Sequence, residues 1–173
     1  MNMLKPSDVT IIVDTREQTP FNFERFGFKT KVCTLKTGDY SVEGLEDKLS
    51  IERKSLSDLL GCVGKSRQRF ERELLRLKEF DAKAVVVSAN EATIARGNWK
   101  RSKITPKQVI GSYTAWMTLG IPFIFASNHT LAEERAAHFL WLYARKHLNW
   151  GSTNIEPSEI SEDQLNKVLG VAV

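Results

Sequence analysis

Between Gly38 and Asp58 the chain reads GDYSVEGLEDKLSIERKSLSD, which places an acid at Asp39, a second at Glu52 and a lysine two positions later at Lys54. Two carboxylates supply the hard oxygen ligands that Mg²⁺ or Mn²⁺ takes, and a cation so held neutralises phosphoryl charge and activates a water. An ammonium beside them can position that water or meet charge on a pentavalent phosphate. The chemistry that needs such a set is hydrolysis of a phosphodiester. An acid and a lysine two apart also make an ordinary surface pair on an edge strand, so the spacing alone leaves both readings open.

The elements that must carry these residues can be read from pattern. Leu49 to Arg53 is expected to be a strand, whose period of two puts Glu52 and Lys54 on one face and Ile51 and Arg53 on the other. Val9 to Val13 is continuously β-branched, a buried strand that delivers Asp14 to a sheet edge, where α/β proteins bind ligands. Val32 to Leu35 is a second short strand, with Cys33 expected as a buried thiol. Gly38 permits a tight turn into Asp39, and Ser41 to Lys48 is expected to be a surface connection. Gln18 to Gly27 is a loop whose Phe21, Phe23 and Phe26 cover the site or pack onto the sheet.

Taken together, Asp14 and Glu17 in VDTRE, then GDY from Gly38, then IERKSLSD from Ile51 to Asp58, resemble the ordered motifs of the ERCC4-type nuclease domain. This is the domain of the XPF and Mus81 family of structure-specific endonucleases, within the restriction-endonuclease-like group. The resemblance runs from about Asp8 to Leu148, and its specific motifs lie in the first half. It implies that Asp39 and Glu52 are the principal metal ligands, that Lys54 is the catalytic lysine, and that Asp14 completes or supports the metal shell. Arg53, Glu17, Asp58 and Gln68 match further polar positions of the family. Asp58 also has a purely structural reading, as the acidic partner of a Ser55 helix cap.

After this cap, Leu56, Leu59 and Leu60 are expected to bury one side of a short helix, and Gly61, Gly64 and Lys65 to form a flexible basic turn. Ser66 to Phe80 is a longer helix with Phe70, Leu74 and Leu77 facing the core. Its basic residues include Arg67 and Arg69, placed to meet DNA or else to pair with Glu71, Glu73 and Glu79 on a solvated face. Ala84 to Ser88 is a strand. The segment 89–103 that follows carries Arg96, Lys100, Arg101 and Lys103 around Trp99, a set that suits phosphates and an unpaired base, unless Trp99 folds back onto the core. Thr105, Pro106 and Gln108 start a helix packed through Val109, Ile110, Tyr113, Trp116 and Met117. Phe123 to Ala126 is a short strand, and Leu131 to His147 a last helix. Phe139, Trp141, Leu142 and Tyr143 on it pack within the chain or join a second copy.

The whole chain of 173 residues is 42% hydrophobic, enough for one substantial core, and carries a formal charge of +4 with a pI near 9.1. After Trp150 four acids face one lysine, so that segment is −3 and the preceding body +7, which favours a polyanionic partner. The two cysteines form no disulfide framework or metal motif, three histidines argue against structural zinc, and no apolar run suggests a signal peptide or membrane span. The expected location is the cytoplasm of a microbial or virus-infected host cell, or the nucleus of a eukaryotic one.

These readings define an α/β fold with a restriction-endonuclease-like core, a central mixed β-sheet flanked by helices. Residues 1–150 form the nuclease domain, and residues 151–173 a polar connection and short helix docked on it. The expected function is a Mg²⁺- or Mn²⁺-dependent DNA endonuclease acting on branched, flapped or distorted duplex and leaving a 5′ phosphate. A restriction-like, nicking or junction-resolving enzyme, or a noncatalytic DNA-binding subunit, are the alternatives. The family's tandem helix-hairpin-helix module does not fit in this length, so a homodimer or a separate DNA-binding partner is expected to help select the substrate.

Overall fold

The computed structural model describes residues 4–148. The expectation for residues 151–173 therefore lies outside the described residues. Six strands form one sheet in the order β2-β1-β3-β4-β5-β6: β1 (Thr10–Asp14), β2 (Lys29–Cys33), β3 (Tyr40–Val42), β4 (Leu49–Ser55), β5 (Ala82–Ser88) and β6 (Phe123–Phe125). β1 runs parallel to β2, while β3 is antiparallel to both β1 and β4. β4 runs parallel to β5, and β5 parallel to β6. The helices are α1 (Leu56–Val63), α2 (Arg67–Leu77), α3 (Glu91–Arg96), α4 (Pro106–Met117) and α5 (His129–Leu148).

Strand periodicity splits the core into two layers. Leu49 and Ile51 of β4 and Val86 of β5 face a cluster with Phe21, Phe23, Tyr40 and the alanine-rich side of α5. Val85 and Val87, one position out of phase, face a second cluster built from α1, α2 and α4 through Leu59, Phe70, Leu74, Val109 and Trp116. Burying each of the larger of these side chains contributes about 1.5–3 kcal/mol. The result is the expected α/β architecture, a mixed sheet with helices on both faces.

Several local expectations change. Ser41 and Val42 belong to a buried strand, so the expected surface connection narrows to 43–48, which is exposed except for the buried Leu45. β2 lies earlier than Val32 to Leu35 and is an exposed edge: Cys33 faces solvent and Val32 is 68% exposed. Gly61 continues α1, so the expected flexible turn narrows to Gly64 to Ser66. α3, capped by the Asn90 side chain and ended at Gly97, takes up the first half of the segment 89–103. On α4 the N-terminal box of Thr105 and Gln108 forms as expected, but Ile110 and Met117 are exposed because Val109, Tyr113 and Trp116 already fill its inner face.

Candidate active site

The topology explains why distant acids meet. β1 and β4 run in one direction with β3 reversed between them, so the entry to β3 lies beside the exits of β1 and β4. Asp14 ends β1, Asp39 directly precedes β3, and Glu52 and Lys54 stand in the second half of β4. Backbone hydrogen bonds fix Asp39 between its neighbours: the Asp14 N–H donates to its carbonyl at 2.8 Å, and its own N–H donates to the Ile51 carbonyl at 2.8 Å. Gly38, at φ +81°, makes this approach possible. A Cβ there would meet Ser50 Oγ and sit 2.9 Å from the Ile51 carbonyl oxygen.

Lys54 Nζ donates to Glu52 Oε1, as expected for two residues sharing one face of β4, and rests 5.0 Å from the Phe70 ring centroid. Glu52 is 3% exposed, and its other oxygen, Oε2, is buried without a hydrogen-bond partner. Asp39 is half-buried; Arg53 N–H donates to its Oδ2 at 2.7 Å. Burial and the neighbouring acids hold both carboxyls above the usual carboxylate range, although Lys54 opposes the shift. Burial works against the Lys54 ammonium, but Glu52 and Glu73 together hold its pKa above the ordinary lysine value. Lys54 is therefore a cation at neutral pH, suited to holding an anionic oxygen and not to removing a proton.

Asp14 behaves differently. Its carboxylate accepts from Arg16 N–H at 2.9 Å, Arg16 Nε at 2.6 Å, Arg16 Nη2 at 3.1 Å and Leu35 N–H at 2.7 Å. Burial raises its pKa, and these donors more than reverse that, holding it below the usual range. Glu17 accepts from Thr19 N–H at 2.7 Å and pairs with Arg53 Nη1 at 3.4 Å, behind β4, where the Arg53 guanidinium stacks over Phe21. Asp58 completes the α1 capping box with Ser55. Gln68 is exposed on α2.

Two residues at this site were not singled out from sequence. Glu73 on α2 reaches within 3.9 Å of Lys54 Nζ. Its signal was its register, three after Phe70 and four before Leu77, which sets an acid on the rim of a buried stripe. Arg16, inside DTRE, ties Asp14 to the Leu35 carbonyl at 2.8 Å.

The basic residues divide. Lys65, Trp99, Lys100, Arg101 and Lys103 line one cleft of about 840 Å³ with the start of α1. Arg67 is instead engaged by Ser112 Oγ at 2.8 Å, Glu71 at 2.9 Å and the Trp116 ring. Arg96 bonds back to its own helix, and Arg69 is exposed on α2. On α5, Phe139, Trp141 and Tyr143 pack against the core, while Leu142 is 44% exposed.

The hard-oxygen pair fits a divalent cation. Glu52 Oε2 lacks a partner, and among the described residues only the other oxygen of Asp39, Oδ2, accepts a hydrogen bond. Among the described residues no three His, Cys, Asp or Glu side chains gather closely enough to hold a metal ion, and no helix is long and apolar enough to cross a membrane. Two carboxylates with water and substrate phosphate are nonetheless a common Mg²⁺ environment.

Comparison with known proteins agrees with this fold. The ERCC4 domain model matches residues 13–139. Over 89 residues, 47% of this chain, the sequence is 35% identical to DNA repair endonuclease XPF from Cricetulus griseus, of which the match spans 9%. XPF from Aeropyrum pernix has the same fold, with a TM-score of 0.64 at 19% identity over 79% of this chain and 66% of that one. The structure of XPF from Aeropyrum pernix in complex with DNA gives 0.64 at 20% identity, over 81% and 67%. The family match takes in more than half of the chain and includes Asp14, Asp39, Glu52 and Lys54, and the chain belongs to the ERCC4 domain family.

Proposed function

We propose that this chain is a Mg²⁺- or Mn²⁺-dependent DNA endonuclease that cuts branched, flapped or otherwise distorted duplex. The observation that carries the reading is the buried, unpartnered Oε2 of Glu52, set beside Asp39 and joined through its other oxygen to Lys54. A buried carboxylate oxygen without a donor is costly unless a cation completes it. Asp39 and Glu52 would hold the metal, which when bound supplies charge neutralisation at phosphate and a more acidic water.

The chain's own groups do the rest. Lys54, kept cationic, holds a non-bridging phosphate oxygen or the attacking water, and Phe70 beneath it limits its motion. Water adds to phosphorus and the bond to the 3′ oxygen breaks, leaving a 3′ hydroxyl and a 5′ phosphate. Asp14, saturated by Arg16 and Leu35, supports the metal shell by fixing the backbone that presents Asp39. Support for a DNA substrate comes from the cationic cleft and from the names of the relatives, an XPF repair endonuclease and an XPF bound to DNA. A second copy, joined through the outer side of α5 at Leu142, or a separate DNA-binding partner would extend the contact surface.

End-labelled linear, flap, fork and four-way DNA incubated with Mg²⁺, Mn²⁺ or EDTA test this. The expected result is cutting of the branched substrates in either metal, none in EDTA, and 5′-phosphate ends. A folded protein that binds a fork and cuts nothing in either metal would replace this reading with a noncatalytic role.

A further inference from the structure

The cleft between α1 and the α3–α4 loop has a composition that the hydrolytic site does not require. Its floor is apolar, made by Leu56, Leu60, Ile104 and the partly buried face of Trp99. Its rim carries Lys65, Lys100, Arg101 and Lys103, all exposed, and among the described residues none of the four has an acidic partner. Two cations nearer the sheet are paired instead, Arg53 with Glu17 and Arg67 with Glu71. Unpaired positive charge around an apolar floor selects a ligand that is anionic at its edge and flat and apolar at its centre.

The loop is held in shape. Trp99 N–H donates to the Gly97 carbonyl at 2.9 Å, and its indole Nε1–H to the Ile104 carbonyl at 2.7 Å. Gly97 sits at φ +68°, with Pro106 Cγ 2.6 Å from where a Cβ would stand, so the two ends of the loop touch. Gly64 at the end of α1 lets Ile104 Cδ1 come within 3.3 Å of its own Cβ position, which closes the floor. The indole is therefore oriented in advance with its one donor already used, and it offers a face for stacking without a group that reads base identity.

We propose that this cleft binds an unpaired nucleotide, its base stacked on Trp99 and its flanking phosphates on the rim cations. The inference rests on the DNA reading above and makes it specific. A base inside a duplex has both faces covered, so a paired strand cannot use the floor. The cleft volume lies within the range of about 300–1,000 Å³ common for small-molecule sites, room enough for a nucleotide. Its position also fits: Leu56 and Ser57 line it and follow Lys54 by two and three residues, a span of about 7–10 Å at most. A strand leaving the hydrolytic site at a branch point enters the cleft at once.

The test is equilibrium binding, in EDTA, of a duplex bearing a single-stranded thymidine tail and of the same duplex with an abasic tail carrying the same phosphates. The wild type is expected to bind the abasic tail about tenfold more weakly. Trp99→Ala should bind both tails equally and Trp99→Phe should keep most of the difference. A 5-iodouracil in the tail should crosslink to the wild-type peptide containing Trp99, which avoids reliance on any variant folding. Equal binding of the two tails by the wild type, or crosslinks confined to other peptides, would overturn the nucleotide site while leaving the nuclease reading in place. No binding to any DNA would overturn both.

Discussion

The β4 edge and the α3–α4 loop are built on opposite electrostatic plans. At the edge, Glu52 is buried and Asp39 half-buried, and they crowd each other, so they hold protons more tightly than ordinary carboxyls, and Glu52 Oε2 stays unpartnered. In the loop, Lys100, Arg101 and Lys103 stand in solvent without acids among the described residues, joined across the cleft by Lys65 from the α1–α2 turn. An acid pair of this kind suits a cation, and an exposed cation cluster an anion. Sheet geometry builds the first, while caps and glycines build the second. Catalysis and substrate capture are thus separable, and substitutions should separate them.

The largest effect that sharpens this contrast is Lys54→Ala. Single-turnover cleavage should fall by about 10²- to 10³-fold, the usual cost of removing one charge-stabilising group, with DNA affinity nearly unchanged. A matching loss of affinity would break the separation. Gly38→Ala follows, because φ +81° and the Ile51 carbonyl at 2.9 Å forbid an easy accommodation. Denaturant unfolding should show a loss of about 2–3 kcal/mol, together with lost activity.

Smaller, and opposite in sign with and without metal, is the pH effect. Asp39 and Glu52 have raised pKa values when folded, so their stabilisation is present at low pH and is lost as pH rises through the folded values. The melting temperature of the metal-free protein should therefore rise as pH is lowered from about 8 toward 6. Asp14, held below its usual value, loses its contribution only under more acidic conditions, below the ordinary aspartate range. Added Mn²⁺ should stabilise more at the higher pH, since protons compete for the same oxygens. Glu52→Gln should flatten both trends. The smallest change is Lys103→Ala, which should lower the salt dependence of DNA binding by about one counterion without altering the cleavage rate of bound substrate.

Sequence pattern reached furthest where one local rule decides the outcome. Period two alone puts Glu52 beside Lys54, and the Ser55 and Thr105 caps follow from residue type and spacing. It reached less far where neighbours decide. β3 is three residues long and buried throughout, so it offers no alternation to read, yet its reversed direction is what brings Asp14, Asp39 and Glu52 to one end of the sheet. Cys33 and Val32 look like core residues because their run is apolar, but β2 lies at the sheet edge, a fact set by strand order. Glu73 acts across a helix–sheet contact and Arg16 across a strand end. Neither partnership has a fixed sequence interval.

The most direct measurement is single-turnover cleavage of a labelled fork by the wild type, Asp39→Asn and Glu52→Gln across a Mn²⁺ titration, with fork binding followed in parallel. Both variants should bind the fork as the wild type does and cut it no faster than the EDTA control at any Mn²⁺ concentration. Metal-dependent cutting by either folded variant at the wild-type rate would contradict the assignment of the β4 edge as the hydrolytic site.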